Sequence, residues 1–277
     1  MNAHTGGSRG RPRLATLCVV ALLLVAGCGA ATGPDDAGAT TNTTREATAA
    51  TVAADALPPG VSRDGVTNAT RLLETHRQAS LGTPGRTLTA TNATLGGRTL
   101  QTETTTTATA NLSRVRYDSR ATGDLGDDQR SRRTVLYANA TNVTQRVTVD
   151  GEVRLSNVRA RSEAFELALT GFATASNPLR GLLSRGDYRL TNVTRTGGGR
   201  VYTLRADSYG GGQLVAAENV TSYAATVRVT DAGVVVSARE RIEGRETAAF
   251  GSYQFRYRFQ PGAVTPEPVD DDARTRG

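Results

Sequence analysis

Few residues of this chain carry side chains that commonly do covalent or acid–base chemistry. Its 277 residues include two cysteines, two histidines and 33 arginines, and no lysine. Without lysine there is no Schiff base and no phosphate-loop lysine. Two histidines far apart in sequence do not supply a multi-histidine metal site. No Gly-x-Ser-x-Gly elbow occurs beyond residues 1–27, and no dinucleotide-type glycine loop occurs. We therefore predict no catalytic residue, no metal, no cofactor and no enzymatic activity.

Cys28 is the one residue for which the sequence predicts a specific reaction. Residues 1–13 are polar and positive, and residues 14–26 form an apolar run without a charge. That run is shorter than the roughly 20 residues of a membrane-spanning helix, and it is typical of a signal peptide. The segment Leu24-Val25-Ala26-Gly27-Cys28 resembles a lipobox, at which an exported precursor is lipidated on cysteine and cut just before it. We predict a signal peptide over residues 1–27 and lipidation at Cys28; a single N-terminal anchor helix is the alternative.

Cleavage before Cys28 would change both the thiol content and the charge of the mature chain. Cys18 would leave with the signal, so no disulfide and no thiol nucleophile would remain. Three arginines and no acid would leave as well, which lowers the formal charge from +7 to +4. The remaining arginines are scattered without a block, which does not indicate a nucleic-acid partner. The predicted location is the outer face of the cytoplasmic membrane, with the membrane as partner through the lipid anchor.

Composition divides the chain after Cys28 into three parts. Residues 28–56 are mostly Ala, Thr, Gly and Asp, which predicts a lipidated N-terminus and a flexible stalk. A β-rich domain is predicted for residues 57–262. Residues 263–277 carry prolines and an acidic run, which predicts a disordered acidic tail.

Two stretches of the domain have helical periodicity. In the first, from Ser62 or Asp64 to Ser80, apolar residues and His76 form one stripe. His76 is therefore expected to be a packed, hydrogen-bonded residue rather than a catalyst. The second helix is predicted from Ser162 to Ala175, with a short apolar piece after its end at Asn177-Pro178.

The rest of the domain alternates with the period of two that is typical of strands. The predicted strands are Arg86–Leu95, Arg98–Ala110, Ser113–Arg120, Arg133–Ala138, Thr144–Val149, Glu152–Leu155, Asp187–Arg195, Arg200–Asp207, Val220–Thr230, Gly233–Ile242 and Phe250–Gln260. Asp150-Gly151 predicts a two-residue hairpin turn. The fold class that follows is α+β and mainly β, with a large curved antiparallel sheet covered by two helices.

Two resemblances add to this prediction. The lipobox, the Thr/Ala stalk, the segment LPPGVSRDGVTNATRLLETH and the strand pair YAATVRVTDAGVVVSARERI resemble secreted lipoproteins of halophilic archaea, a family without an assigned function. The order of helix, strands, helix and hairpins is similar to the LolA-like half-barrel, which includes mycobacterial lipid-carrier lipoproteins. The second resemblance implies a sheet with helices on one face and an apolar ligand between them.

Sequons of the form Asn-x-Ser/Thr are unusually frequent. Eight of eleven asparagines stand in one, whereas about two would be expected by chance at this Ser and Thr content. In an exported protein they predict glycosylation; extended-strand and turn chemistry is the alternative. The predicted acceptors are Asn42, Asn68, Asn92, Asn111, Asn139, Asn142, Asn192 and Asn219, of which Asn139 and Asn142 are expected to be the most accessible.

Two functions remain open for such a domain. In the first, it binds or carries a lipid or another hydrophobic ligand. The residues expected to line the site are Phe165, Leu169, Phe172, Tyr253, Phe255, Tyr257 and Phe259. In the second, these residues are ordinary core, and the protein is a glycosylated structural or interaction module of the cell surface with no ligand.

Overall fold

The computed structural model describes residues 57–126, 128–212, 214–245 and 250–269. In this part of the chain no helix is long and apolar enough to cross a membrane. The predicted signal peptide, Cys28 and the predicted stalk lie outside the described residues.

Eleven strands make up most of the described chain. They are β1 (Gly85–Leu95), β2 (Arg98–Ala108), β3 (Val115–Gly123), β4 (Ser131–Ala138), β5 (Asn142–Val149), β6 (Glu152–Ala160), β7 (Arg189–Thr196), β8 (Gly199–Ala206), β9 (Val220–Thr230), β10 (Val235–Gly244) and β11 (Phe250–Pro261). All pair antiparallel in one open sheet of order β6-β5-β4-β3-β2-β1-β11-β10-β9-β8-β7. The pairing of β1 with β11 joins the two halves of the sheet. The predicted fold class, mainly β with one large antiparallel sheet, is confirmed.

Turn chemistry explains the hairpin between β5 and β6. Asp150 and Gly151 both adopt positive φ, at 48° and 88°, as a two-residue turn between twisted strands requires. The hairpin predicted at this position is confirmed, and β5 pairs with β6 on either side of it. β6 continues to Ala160, five residues beyond the predicted end.

The first helix, α1 (Ala69–Leu81), begins later than the sequence predicts. Asn68 caps it, because its Oδ1 accepts a hydrogen bond from the Arg71 amide at 2.9 Å. Gly65 has φ of +138°, and the amide of Val66 bonds to the carbonyl of Tyr188. The backbone at these two residues is therefore held in a non-helical path, and the predicted start at Ser62 or Asp64 is wrong.

Three helices, not two, pack on one face of the sheet. The second is α2 (Glu163–Thr174), and the apolar piece after it forms a third, α3 (Ser176–Arg185). Ala175 takes a left-handed conformation between them, with φ of 49°. Pro178 lies in the first turn of α3, where a missing amide hydrogen costs no helical bond. The proline was predicted to end one helix, but it lies near the start of the next.

The helix-covered face holds two separate clusters of buried apolar residues. The larger lies among α1, α3 and strands β8–β11, around Leu72, Leu179 and Val227. The smaller lies among α2 and strands β2–β5, around Leu169, Val115 and Val143. Each cluster contains side chains that are fully buried.

The chain after β11 returns along the other face of the sheet, which we call the outer face. Nη1 of Arg116 donates to the carbonyls of Glu267 and Pro268, at 2.9 and 2.7 Å. Pro266 is buried. The predicted disordered tail therefore begins too early, because part of 263–269 is held by contacts with β3. Residues 270–277 lie outside the described part.

Candidate functional site

The residues predicted to line an apolar cavity fall into two groups. Phe255, Tyr257 and Phe259 on β11 are 2%, 3% and 7% exposed and belong to the larger cluster, with Tyr253 packed against it. Leu169 on α2 belongs to the smaller cluster and is fully buried. The structure therefore does not bring the helical and the strand residues together around one shared space.

Contacts fill the place where a ligand was expected in the smaller cluster. Phe172 stacks on Tyr117 of β3, with ring centroids 4.3 Å apart. Phe165 packs at the margin of the same cluster. Thr87 of β1 donates a hydrogen bond to the carbonyl of Ala173 at 2.5 Å, so α2 also has a polar tie to the sheet. These contacts are those of ordinary core packing.

His76 joins α1 to one element of each cluster, α2 of the smaller and β10 of the larger. The imidazole is fully buried on α1. Its Nδ1 accepts from the amide of Val235 at 3.2 Å and contacts the Ser80 hydroxyl at 3.1 Å. Its Nε2 lies 3.0 Å from the carbonyl of Thr174, and Tyr257 packs edge-on against the ring. An acceptor at Nδ1 and a donor at Nε2 describe a neutral imidazole that ties α1 to α2 and β10.

We expect the stability of the protein to fall in mild acid because of His76. Burial lowers the pKa of His76 to about 4, although the hydrogen bond to Thr174 opposes this. The unfolded chain takes up a proton near pH 6.5, so the stabilisation is present above that pH and is lost as the pH falls through about 4. The free energy of unfolding should drop by up to about 3 kcal/mol across this window. Urea titrations of wild type and His76→Gln at several pH values test this. A free energy of unfolding that falls with pH as steeply in the variant as in the wild type would contradict it.

A buried ion pair that the sequence did not reveal closes the larger cluster. Glu240 of β10 points toward the helices, and its side chain is fully buried. Arg185, the last residue of α3, donates from Nε and Nη2 to the two carboxylate oxygens, with an Nε–Oε1 distance of 2.9 Å. Tyr223 donates to the same carboxylate at 3.3 Å, and the Arg185 guanidinium lies 5.7 Å from the ring centroid of Tyr253. The sequence showed Glu240 only as an interruption of the apolar alternation along β10.

The charges of this pair are held by its surroundings. Burial disfavours the charged guanidinium, but the hydrogen bonds and the charge of Glu240 outweigh it and raise the pKa of Arg185. Burial raises the pKa of Tyr223, so its hydroxyl stays protonated and donates. Burial also raises the pKa of Tyr253 to about 12. The arrangement fastens α3 to β10, and the buried carboxylate accepts three hydrogen bonds from two partners, Arg185 and Tyr223, rather than presenting an open side to a substrate.

A polar cleft of about 500 Å³ lies on the outer face, beneath the C-terminal segment. Arginines and carboxylates line it together with threonine hydroxyls: Arg86, Glu103, Thr105, Thr107, Arg116, Asp118, Arg120, Thr265, Pro266 and Glu267. Arg133 donates to Asp118 at 3.0 and 2.6 Å, and these hydrogen bonds lower the pKa of that carboxyl. The cleft is not the apolar site that the sequence predicted.

The predicted glycan acceptors are spread around the described domain. Their asparagine side chains are exposed at Asn68, Asn92, Asn111, Asn142 and Asn192, and half-buried at Asn139 and Asn219. Oδ1 of Asn139 accepts from the amides of Thr141 and Asn142 at 2.9 and 2.8 Å. Asn139 is therefore less accessible than predicted, because it builds the turn on which Asn142 stands. Asn42 lies outside the described residues.

Comparisons with known proteins return weak structural similarities. No family model and no curated protein matches the sequence. LprF from Mycobacterium bovis is similar at 12% identity and a TM-score of 0.36, over 73% of this chain and 96% of that one. The MucA/MucB complex of Pseudomonas aeruginosa matches at 15% identity and a TM-score of 0.25. This match covers 76% of the present chain and 61% of the other.

A third similar structure is a DUF1329 family protein from Desulfovibrio piger, at 10% identity and a TM-score of 0.19. It is matched over 94% of its length and 74% of this chain. Similarities this slight carry no inference about what the present chain binds. The resemblance to halophilic archaeal lipoproteins stays a prediction.

Proposed function

We propose that this protein is an exported, lipid-anchored module of the cell surface with a filled core. Lipid attached at Cys28 would hold it at the outer face of the cytoplasmic membrane. The observation that carries the proposal is the packing of the predicted cavity residues. Phe255 is 2% exposed and Leu169 is fully buried, and they belong to different clusters.

The contacts between helices and sheet support a filled core. His76 bonds to Thr174 and Val235, and Arg185 bonds to Glu240. A ligand that entered between helices and sheet would have to break these buried polar contacts, and each lost partner would leave an unsatisfied group. The first function that the sequence suggested, carriage of a hydrophobic ligand, would therefore require the loss of these buried hydrogen bonds. The surface-module function does not require it.

The sequence around Cys28 supports the anchor. A charged start, a short apolar run and small residues precede the cysteine. The stalk predicted for residues 28–56 would span about 30 Å as a random coil, so the domain would stay close to the membrane surface. Glycans at exposed sequons such as Asn142 would keep the domain soluble there.

Mass spectrometry of the native N-terminal peptide tests the anchor. We expect a chain that begins at Cys28 and carries a covalent lipid, recovered with the membrane fraction. The matched control is Cys28→Ser, which keeps the signal but has no thiol to modify. We expect this variant to lose the lipid mass. A native chain that retains residues 1–27, or an unmodified Cys28, would contradict the proposal.

A further inference from the structure

The sheet gathers arginines that are scattered in the sequence onto its outer face. Side chains alternate between the two faces of a strand, and paired residues of neighbouring strands share a face. In β8–β11 the helix-covered face carries the apolar residues, such as Val227, Ile242 and Phe255. The outward positions carry six exposed arginines, which we call the arginine face: Arg205, Arg228, Arg239, Arg241, Arg256 and Arg258.

Strand register places these arginines side by side. Arg239 of β10 is directly opposite Arg256 of β11. Thr226 of β9 is paired with both Arg205 of β8 and Arg239, so one row across the four strands β8–β11 holds three arginines. The next row brings Arg228 and Arg258 to either side of Ser237. Like charges this close repel one another, so the array gains from an anionic partner.

Few acids balance the arginine face. The outward acid of β8–β11 is Glu243, which pairs with Arg241 at 2.7 Å. Six arginines against this one carboxylate leave a formal charge of +5. The other acid of these strands, Glu240, points to the helix-covered face and is held by Arg185. The formal charge of the arginine face, +5, exceeds the +4 of the whole chain from Cys28 onward. The fold therefore concentrates on one surface a positive charge that the composition does not reveal.

The residues between the arginines are small or uncharged. They include Ala224, Thr226 and Ser237, and no aromatic residue occupies an outward position of β8–β11. Proteins that bind single-stranded nucleic acids stack bases on exposed aromatic rings, which this face lacks. Guanidinium groups spread in two dimensions match an array of phosphate headgroups, which they contact through paired hydrogen bonds.

We propose that the arginine face docks on a bilayer of anionic phospholipids beside the protein's own anchor. The proposal rests on the proposed function, because the anchor keeps the domain within reach of the membrane. A stalk of about 30 Å would hold the face at a high local concentration of headgroups. The C-terminal segment crosses the outer face at β3, as its bonds to Arg116 show, and the arginine face lies on the other side of β1 in the sheet order.

The test uses the full mature chain, anchored by its own lipid in vesicles of phosphatidylcholine with or without phosphatidylglycerol. With Cys28 lipidated, an introduced cysteine would be the only free thiol of the mature chain. One fluorophore is placed at Ala224→Cys on the outer face. The matched one is placed at Leu167→Cys, which is 78% exposed on α2 on the opposite side of the sheet. Lipids that carry a quencher on the headgroup report which side touches the membrane.

We expect quenching at position 224 on vesicles with phosphatidylglycerol, and little at position 167. Raising the ionic strength from about 0.1 M to about 1 M shortens the Debye length from about 10 Å to about 3 Å and should release the face. R239Q with R256Q should lower the ratio of docked to undocked chains by roughly 30-fold, about fivefold for each arginine. The matched pair R71Q with R180Q, exposed on α1 and α3, should leave the ratio unchanged.

Three results would overturn the proposal. The first is equal quenching at position 224 with and without phosphatidylglycerol, and the second is an equal loss in the two variant pairs. The third is binding of a labelled oligonucleotide by a chain that ignores the anionic vesicles, which would make a nucleic acid the partner. Retention on the vesicles at high salt tests the anchor separately. A chain without lipid would dissociate from the vesicles at high salt, whether or not the fluorophore at position 224 is quenched at low salt.

Glycan occupancy supplies an independent check. Asn92 is paired with Gln254 and Asn192 with Thr203, so both project from the outer face. A glycan at each would hold the arginine face away from a planar bilayer. The proposal therefore expects that at least one of these two sequons is unmodified in the native protein, and peptide mapping that finds full occupancy at both would contradict it.

Discussion

Replacement of Glu240 by alanine is expected to lower the free energy of unfolding by about 3–5 kcal/mol. The carboxylate is fully buried, and its partner Arg185 has only 13% of its side chain exposed. Without Glu240 the guanidinium would keep its charge in a site with little water. Breaking a buried pair costs more than the pair contributes to stability, because one charge is left without compensation. Urea denaturation followed by circular dichroism measures the loss.

Two further variants separate the charge effect from a general loss of packing. In the double variant Arg185→Met with Glu240→Leu neither charge remains, and we expect most of the stability to return. In Glu74→Ala, which removes the exposed partner of Arg77 on α1, the transition should hardly move. A Glu240→Ala protein as stable as wild type would contradict the buried pair, as would a double variant that is no better than the single one.

Replacement of Phe255 by alanine is expected to cost about 3–5 kcal/mol. Phe255 is 2% exposed and lies between Glu240 of β10 and Thr91 of β1 in the sheet. Truncation would remove a buried ring and leave a cavity that the surrounding sheet cannot close. The matched control is Leu167→Ala, which removes apolar atoms from a residue that is 78% exposed and should change stability by less than about 0.5 kcal/mol.

The Phe255 result also bears on the choice between the two functions. If the ring lined an open lipid site, its removal would cost far less in the ligand-free protein, because few packing contacts would be lost. Addition of lipid would then stabilise the wild type more than the variant. A loss of under about 1 kcal/mol, or a clear rise in stability of the wild type with added lipid, would therefore contradict the filled core.

Local signals in the sequence were enough to predict most of the strands. The alternation of Tyr253, Phe255, Tyr257 and Phe259 reports the buried face of β11 correctly, and Asp-Gly at 150–151 fixes the hairpin between β5 and β6. The start of α1 was missed because the competing bond partner of Val66 is Tyr188, far away in sequence. Tertiary contacts of this kind leave no local pattern.

The functional surfaces were harder to predict for a related reason. Periodicity marks the buried side of one element, but it does not tell which elements pack together. Leu169 and Phe255 were therefore assigned to one site although they lie in two clusters. Arg185 and Glu240 are 55 residues apart in sequence. Glu240 lies on the apolar face of β10 because it pairs with Arg185, and no local pattern predicts that contact. The arginine face likewise depends on strand order, which places Arg239 opposite Arg256.

Native mass spectrometry of the full chain purified from its own membrane tests the filled core most directly. The measurement compares the mass of the folded protein with the mass of the same sample after denaturation. We predict equal masses, both of which include the covalent lipid on Cys28 and any glycans. One additional lipid per folded chain, released on denaturation, would show a ligand between the helices and the sheet and would contradict the filled core.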